Sequence, residues 1–343
     1  MSTSLAADAP DRRRRFWSLT ARFAVVLVAA LLLAPVVGST PISLGRALDW
    51  SLPFADNVDA QIFFIARLPR TLAAALVGAA LSTAGVVLQA LLRNPLATPF
   101  TLGVSSGAAL GAIAAIVCEP WLALAGVGLA PVASFVGALG AVGIVYALAT
   151  ARRDGLSTDV MLLAGVTLNA FFSAVILFLQ YFADPSQTFR TVRWLMGDLD
   201  VAGYQPVVLA LPWLAVAFAM FAWLPRRLNV LSLGTDMAAA RGVDVVATQR
   251  VAFFGASLAT AAAVALGGPI GFLGIVVPHL VRLMVGADHR FVLPASALFG
   301  GAFLVGCDVV ARVVLAPLEL PVGIITAVIG GPFFLWLLMR RTR

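Results

Sequence analysis

Not one lysine occurs in the 343 residues of this chain, and all 23 basic positions are arginine. A P-loop needs the lysine of G-x-x-x-x-G-K-[ST] to reach nucleotide phosphates, so the chain does not hydrolyse ATP by that route. Charge of either sign is scarce. Charged residues make up 11% of the sequence, against about 25% in a soluble domain, and a water-facing surface cannot be built from that supply. Cysteine is limited to Cys118 and Cys307, far apart and both in apolar stretches, which reads as small buried hydrophobes and not as a disulfide framework. The two histidines, His279 and His289, have no cluster of further ligands around them, so no metal site is expected.

What remains is apolar. Hydrophobic residues reach 61% and the mean hydropathy is +1.01. Apolar runs recur along the whole chain, and a run of about 18 residues or more can cross a hydrocarbon core as a helix. The sequence therefore predicts an all-α, polytopic membrane protein. About ten transmembrane helices are expected, near 22–38, 68–92, 100–118, 121–149, 159–182, 206–224, 251–267, 270–286, 291–311 and 321–339. The expected layout is a cytoplasmic tail 1–21, one transmembrane domain 22–339 with a long loop 225–250, and a second cytoplasmic tail 340–343.

Arginine placement sets the orientation. Arg12 to Arg15 precede the first span, and Arg340, Arg341 and Arg343 follow the last. By the positive-inside rule both termini are cytoplasmic, which needs an even number of spans. Arg93, Arg152, Arg153, Arg226, Arg227, Arg241, Arg250 and Arg290 fall on the same side. The net charge of +7 thus reports topology and gives no reason to expect nucleic acid. The RRRRF start resembles a secretory leader, but no small-x-small cleavage site closes it, and it is taken as an uncleaved first span.

Two outer segments, 39–66 with Trp50 and Phe54, and 183–204 with Trp194 and Tyr204, have the composition of interfacial connectors or of an outer mouth. Pro95, Phe100, Leu102 and Gly103 find an echo in Pro269, Phe272, Leu273 and Gly274, a weak sign of an inverted repeat.

Arg67 and Arg70 run against the charge asymmetry. They sit on the expected outer side, at what reads as a helix start, where the macrodipole disfavours cations. Either a local pair with Asp59 or Glu319 compensates them, or they form a basic socket for an acidic partner. Arg312 lies four residues after Asp308, a spacing that puts both on one helix face. Asp308 is an acid within an apolar span, which favours a protein-facing or wet position. Gly103, Ser105, Ser106, Gly107 and Gly111 suit close helix packing. GVSSG also fits the G-x-S-x-G nucleophile pattern, but a membrane span supplies no strand-to-helix turn for it. In loop 225–250, Leu233, Gly234, Met237, Ala238 and Gly242 suggest a short helix on which another protein could dock. With Asp308 nearly alone among deep carboxylates, an ion-coupled carrier is disfavoured and a borrowed ATPase favoured.

Four ordered motifs, RLPRTLAAALVGAALSTAGVVLQALLRNPLATPFTLGVSSGAALG, LGTDMAAARGVD, GPIGFLGIVVPHLVRLMVGADHR and DVVARVVLAPLELPVGIITAVIGGPFFLWLL, resemble the FecCD-type permeases. These are the membrane subunits of ABC importers for ferric siderophores, haem and cobalamin. The resemblance spans nearly everything after about Ala60. It implies type II importer architecture in the bacterial inner membrane, a homodimer, two cytoplasmic ATP-binding subunits and an extracytoplasmic substrate-binding protein, with no cofactor and no catalysis in this chain. It places binding-protein docking on Arg67, Arg70 and Arg312, ATPase coupling on Leu233, Gly234, Met237, Ala238 and Gly242, and a cytoplasmic gate at Asn94, Leu96, Ser157 and Thr158. An iron chelate is the first expectation for cargo, cobalamin the second. A stand-alone secondary transporter is the competing class.

Overall fold

The structure, a computed structural model, describes residues 4–118, 129–151, 156–201 and 203–341. Among them every regular element is helical. The chain opens on α1 (Ser4–Leu33), with α2 (Leu44–Ala47) and α3 (Val58–Gln61) in the first long connection. A π-helical turn, Ile62–Arg67, joins α3 to α4 (Leu68–Leu91). Then come α5 (Val104–Cys118), α6 (Leu129–Thr150), α7 (Thr158–Tyr181), α8 (Pro185–Leu195) and α9 (Gln205–Trp223). Short α10 (Pro225–Leu231) and α11 (Thr235–Ala240) precede α12 (Val245–Gly267), α13 (Leu273–Val285), α14 (His289–Val313) and α15 (Val322–Arg341).

Seven helical stretches among the described residues are long and apolar enough to span a membrane, and α5, α13 and the Val322–Leu337 part of α15 are shorter apolar helices. Each coincides with one of the ten expected spans, and the chain is a multi-pass membrane protein. Arg152, Arg153, Arg343 and the beginning of span 121–149 lie outside the described residues.

Burial sorts the helices into a centre and a rim. The apolar window is 78% buried in Val58–Leu91, 72% in α12 and 61% in α14, but only 22% in α7 and in α9. Since lipid rewards tight van der Waals packing and not apolarity as such, the central helices meet through glycine. A Cβ on Gly78 of α4 would stand 2.2 Å from the Gly300 carbonyl oxygen of α14. One on Gly85 would meet the Gly274 oxygen of α13 at the same distance. Gly107 and Gly111 of α5 face Gly137 and Ala133 of α6 in the same way, so the small residues of the third span serve close packing. Ser105 is buried inside α5, in a continuous helix and not at a nucleophile turn.

One expectation is corrected. Arg67 and Arg70 do not begin a helix, because the helical run starts at Val58. Pro69 marks a helix start in the sequence. In the structure the wider π turn at Ile62–Arg67 lets the chain pass a proline that lacks its N–H and crowds the carbonyl four residues back. The dipole penalty, confined to the first turn, therefore does not apply to either arginine. Segment 183–204 contains α8, fixed at its start by an Asp184/Gln187 capping box, while Trp50 in the first connection is 88% exposed.

Candidate functional site

At the expected outer end, α1 finishes in a 3-10 turn, Ala34–Val36, whose carbonyls have no further helix to accept from. Two arginines serve them. Arg312 donates from Nη1 to the Val37 oxygen at 3.0 Å and from Nη2 to Ala34 at 3.2 Å. Arg67 donates from Nη1 to Val36 at 3.0 Å and to Pro35 at 3.3 Å, and from Nη2 to Thr40. A Cβ on Gly38 would overlap that Arg67 guanidinium.

Arg70 binds acids instead. Its Nε donates to Asp308 Oδ1 at 2.8 Å and its Nη1 to Glu319 Oε2 at 2.6 Å. Asp308, fully buried, also lies 3.1 Å from Arg312 Nε through Oδ2, so the i,i+4 pair read from the sequence is present. The pair expected for Arg67 or Arg70 forms between Arg70 and Glu319, and Asp59 takes no part in it. Glu319 accepts from the Ser39 hydroxyl at 2.9 Å as well. Burial pushes the Glu319 carboxyl up, but Arg70, Ser39 and Arg312 outweigh it and hold the group below its ordinary value.

All three guanidiniums are buried and turned into the protein. They line a cavity of about 290 Å³ together with Asp200, Glu319, Ser39 and Thr40. Three guanidiniums here meet three carboxylates, Asp308, Glu319 and Asp200, the last also paired with Arg193 at 3.0 Å, so the arginine charge is largely answered from within the protein.

At the opposite, expected inner end, α11 is the short helix anticipated in loop 225–250. Gly234 (φ +122°) and Gly242 (φ +76°) bracket it with backbone conformations that disfavour a side chain. Ala238 is buried, whereas Leu233 just before the helix and Met237 within it are exposed, beside exposed Asp236. Arg93 lies beside Gly234. Asn94 accepts from the Leu96 N–H at 2.9 Å just after α4, and Leu96 is exposed. Ser157 and Thr158 open α7.

The same end holds two side-chain junctions that the sequence did not single out. Pro278 cannot donate to the Gly274 carbonyl four residues earlier in α13. Gln89 of α4 takes its place, donating from Nε2 to Gly274 O at 2.8 Å while its Oε1 accepts from Arg282 Nη1 at 2.5 Å. Asn229 of α10 reaches the start of α14, where its Nδ2 donates to Asp288 Oδ1 at 2.6 Å and its Oδ1 accepts from the His289 N–H at 2.9 Å. A signal for each existed. Gln89 is a polar residue in an apolar run, and Asp288 has the look of an N-cap before an apolar segment.

Comparisons with known proteins agree with one another. The sequence profile described as the FecCD transport family matches residues 26–340. The chain is 48% identical over 276 residues to the cobalamin import system permease protein of Halobacterium salinarum, covering 80% of this chain and 72% of that one. It is 39% identical over 285 residues to the hemin transport system permease protein of Yersinia pestis, covering 82% and 84%. A solved structure assigned as an inward-facing metal-chelate type ABC transporter superposes with a TM-score of 0.82 at 30% identity, covering 94% of this chain and 99% of the other.

Proposed function

The chain belongs to the FecCD transport family and is a permease of the ABC importer class, and on that premise we propose that it carries a metal chelate inward across the cytoplasmic membrane by alternating access. Two copies form the pathway between them. With no lysine for a P-loop, the chain performs no hydrolysis and is driven by two ATP-binding subunits on its inner face. Both termini are cytoplasmic.

The observation that carries this reading is the exposed pair of large apolar side chains at α11, Leu233 just before it and Met237 within it, on a chain that cannot bind nucleotide by a P-loop. Large apolar side chains at an aqueous inner rim call for a protein cover. Leu233, Gly234, Met237, Ala238 and Gly242 form that coupling contact. Asn94, Leu96, Ser157 and Thr158, at the inner ends of α4 and α7, form the inner gate.

At the outer end a substrate-binding protein presents carboxylates to Arg67, Arg70 and Arg312. Because each guanidinium already has internal acceptors, docking proceeds by exchange, with an incoming carboxylate displacing the half-exposed Glu319 from Arg70. An iron chelate, ferric siderophore or haem, is the first reading of the cargo. Cobalamin is the second, favoured by the 48% identity to a cobalamin permease.

The test is reconstitution of the permease with its ATP-binding subunits and binding protein in liposomes. ATP-dependent accumulation of the chelate bound by that binding protein is the expected result. Accumulation of the same cargo by the permease alone, without ATP, would overturn the assignment.

A further inference from the structure

Helix α14 is capped partly by a residue of another helix. Its first N–H groups have no intrahelical acceptor. Asp288 at the N-cap accepts from the Arg290 N–H at 3.0 Å, but the His289 N–H donates to Asn229 of α10. Asn229 Oδ1 also lies 2.7 Å from His289 Nδ1, and Asn229 Nδ2 donates to Asp288. One amide side chain thus makes three contacts to the first turn of α14. His289 is buried there. The Asp288 carboxyl, pushed up by burial, is brought down to about 2 by its hydrogen bonds to Arg290 and Asn229, so it stays ionised as an acceptor.

This clamp lies between two parts of the transport machinery. On one side, α10 leads within three residues into α11 and is fixed by the buried Leu228 and Leu231. On the other, α14 is a 25-residue helix with Pro294 inside it, roughly 37 Å long at 1.5 Å per residue, and it ends just beyond Asp308 and Arg312. Halfway along, Gly300 presses against Gly78 and Ser82 of α4, so α14 and α4 form a close-packed pair.

We propose that Asn229 is the positioning residue that transmits displacement of the coupling segment to the α4–α14 pair, and through it to the outer arginine cluster. The inference rests on the reading of loop 225–250 as the contact with the ATP-binding subunits. Asn229 touches neither cargo nor nucleotide. It makes a push on α11 an axial push on α14, where apolar contact alone would let the two helices slide.

The test uses the whole transporter in liposomes and reads cargo moved per ATP hydrolysed. Asn229→Ala is expected to keep the ATP-binding subunits attached and hydrolysis near the wild-type rate, while the transport ratio falls about tenfold, within the range of coupling between sites. The exchange Asn229→Asp with Asp288→Asn, which reverses donor and acceptor across the junction, is expected to restore most of that ratio. A merely structural role would lower uptake and hydrolysis in proportion, and that result overturns the proposal. So does an unchanged ratio in Asn229→Ala, or a double exchange no better than Asn229→Asp alone. Failure of the wild-type chain to bind any ATP-binding subunit would instead strike at the functional assignment beneath it.

Discussion

Arg70 and Asp308, 238 residues apart in sequence, meet at 2.8 Å inside the outer end of the protein. Asp308 sits between Arg70 and Arg312 with no exposure, so two buried guanidiniums share one carboxylate, and Arg70 takes Glu319 as a second. Removing one partner of a buried ion pair leaves an uncompensated charge and costs about 3–5 kcal/mol. Asp308→Ala is expected to destabilise the detergent-solubilised protein by that order. Joint replacement of Arg70 and Asp308 by leucine should cost less than the single change. Thermal unfolding of the two variants checks the order.

Gly78 and Gly300 are a matched pair. A Cβ on Gly300 would lie 2.2 Å from Ser82 Oγ and 2.6 Å from the Gly78 oxygen. Overpacking of this kind costs about 1–3 kcal/mol, and Gly300→Ala should show it as a lowered unfolding temperature. Gly140, with open space around its would-be Cβ, is the control, and Gly140→Ala should be neutral or slightly stabilising.

Gln89 and Pro278 should be energetically coupled. Gln89→Leu strands the Gly274 carbonyl and removes an acceptor from Arg282, at roughly 1–3 kcal/mol for a buried unsatisfied group. Pro278→Ala returns an N–H to Gly274. In a double-mutant cycle, Gln89→Leu should therefore cost less in the Pro278→Ala background, and strict additivity would contradict the arrangement.

Asp288 gives the junction at α14 a defined acid sensitivity. Its folded value, about 2, lies below the ordinary 3.8, so its stabilising contribution is complete above the ordinary value and is lost as pH falls toward 2. Comparison of wild type with Asp288→Asn across pH 2 to 6 should show a stability difference that is full at the upper end and shrinks toward the lower.

The spans were legible because lipid demands long apolar helices, and the seven long and three shorter ones lie where the apolar runs predicted them. Which helices form the centre was not legible. Val58–Leu91 and α7 have nearly the same hydropathy, 2.0 and 2.2, yet their windows are 78% and 22% buried, because in a membrane both faces of a helix are apolar. Arg312–Asp308 could be read from its i,i+4 spacing. Glu319 was among the acids expected to compensate Arg67 or Arg70, and Arg70 takes it; Asn229–Asp288 and Gln89–Arg282 join residues 59 and 193 positions apart, and no local pattern encodes them. The helix start expected at Arg67 and Arg70 lies instead at Val58, because a π turn carries the helix on past Pro69.

The central claim is that this chain is a gate worked by separate ATP-binding subunits. The most direct measurement is uptake of the cargo into liposomes containing the permease, with and without those subunits, under ATP and with no ion gradient. Accumulation only in the complete, ATP-supplied complex is predicted. Uphill uptake by the permease alone would contradict it.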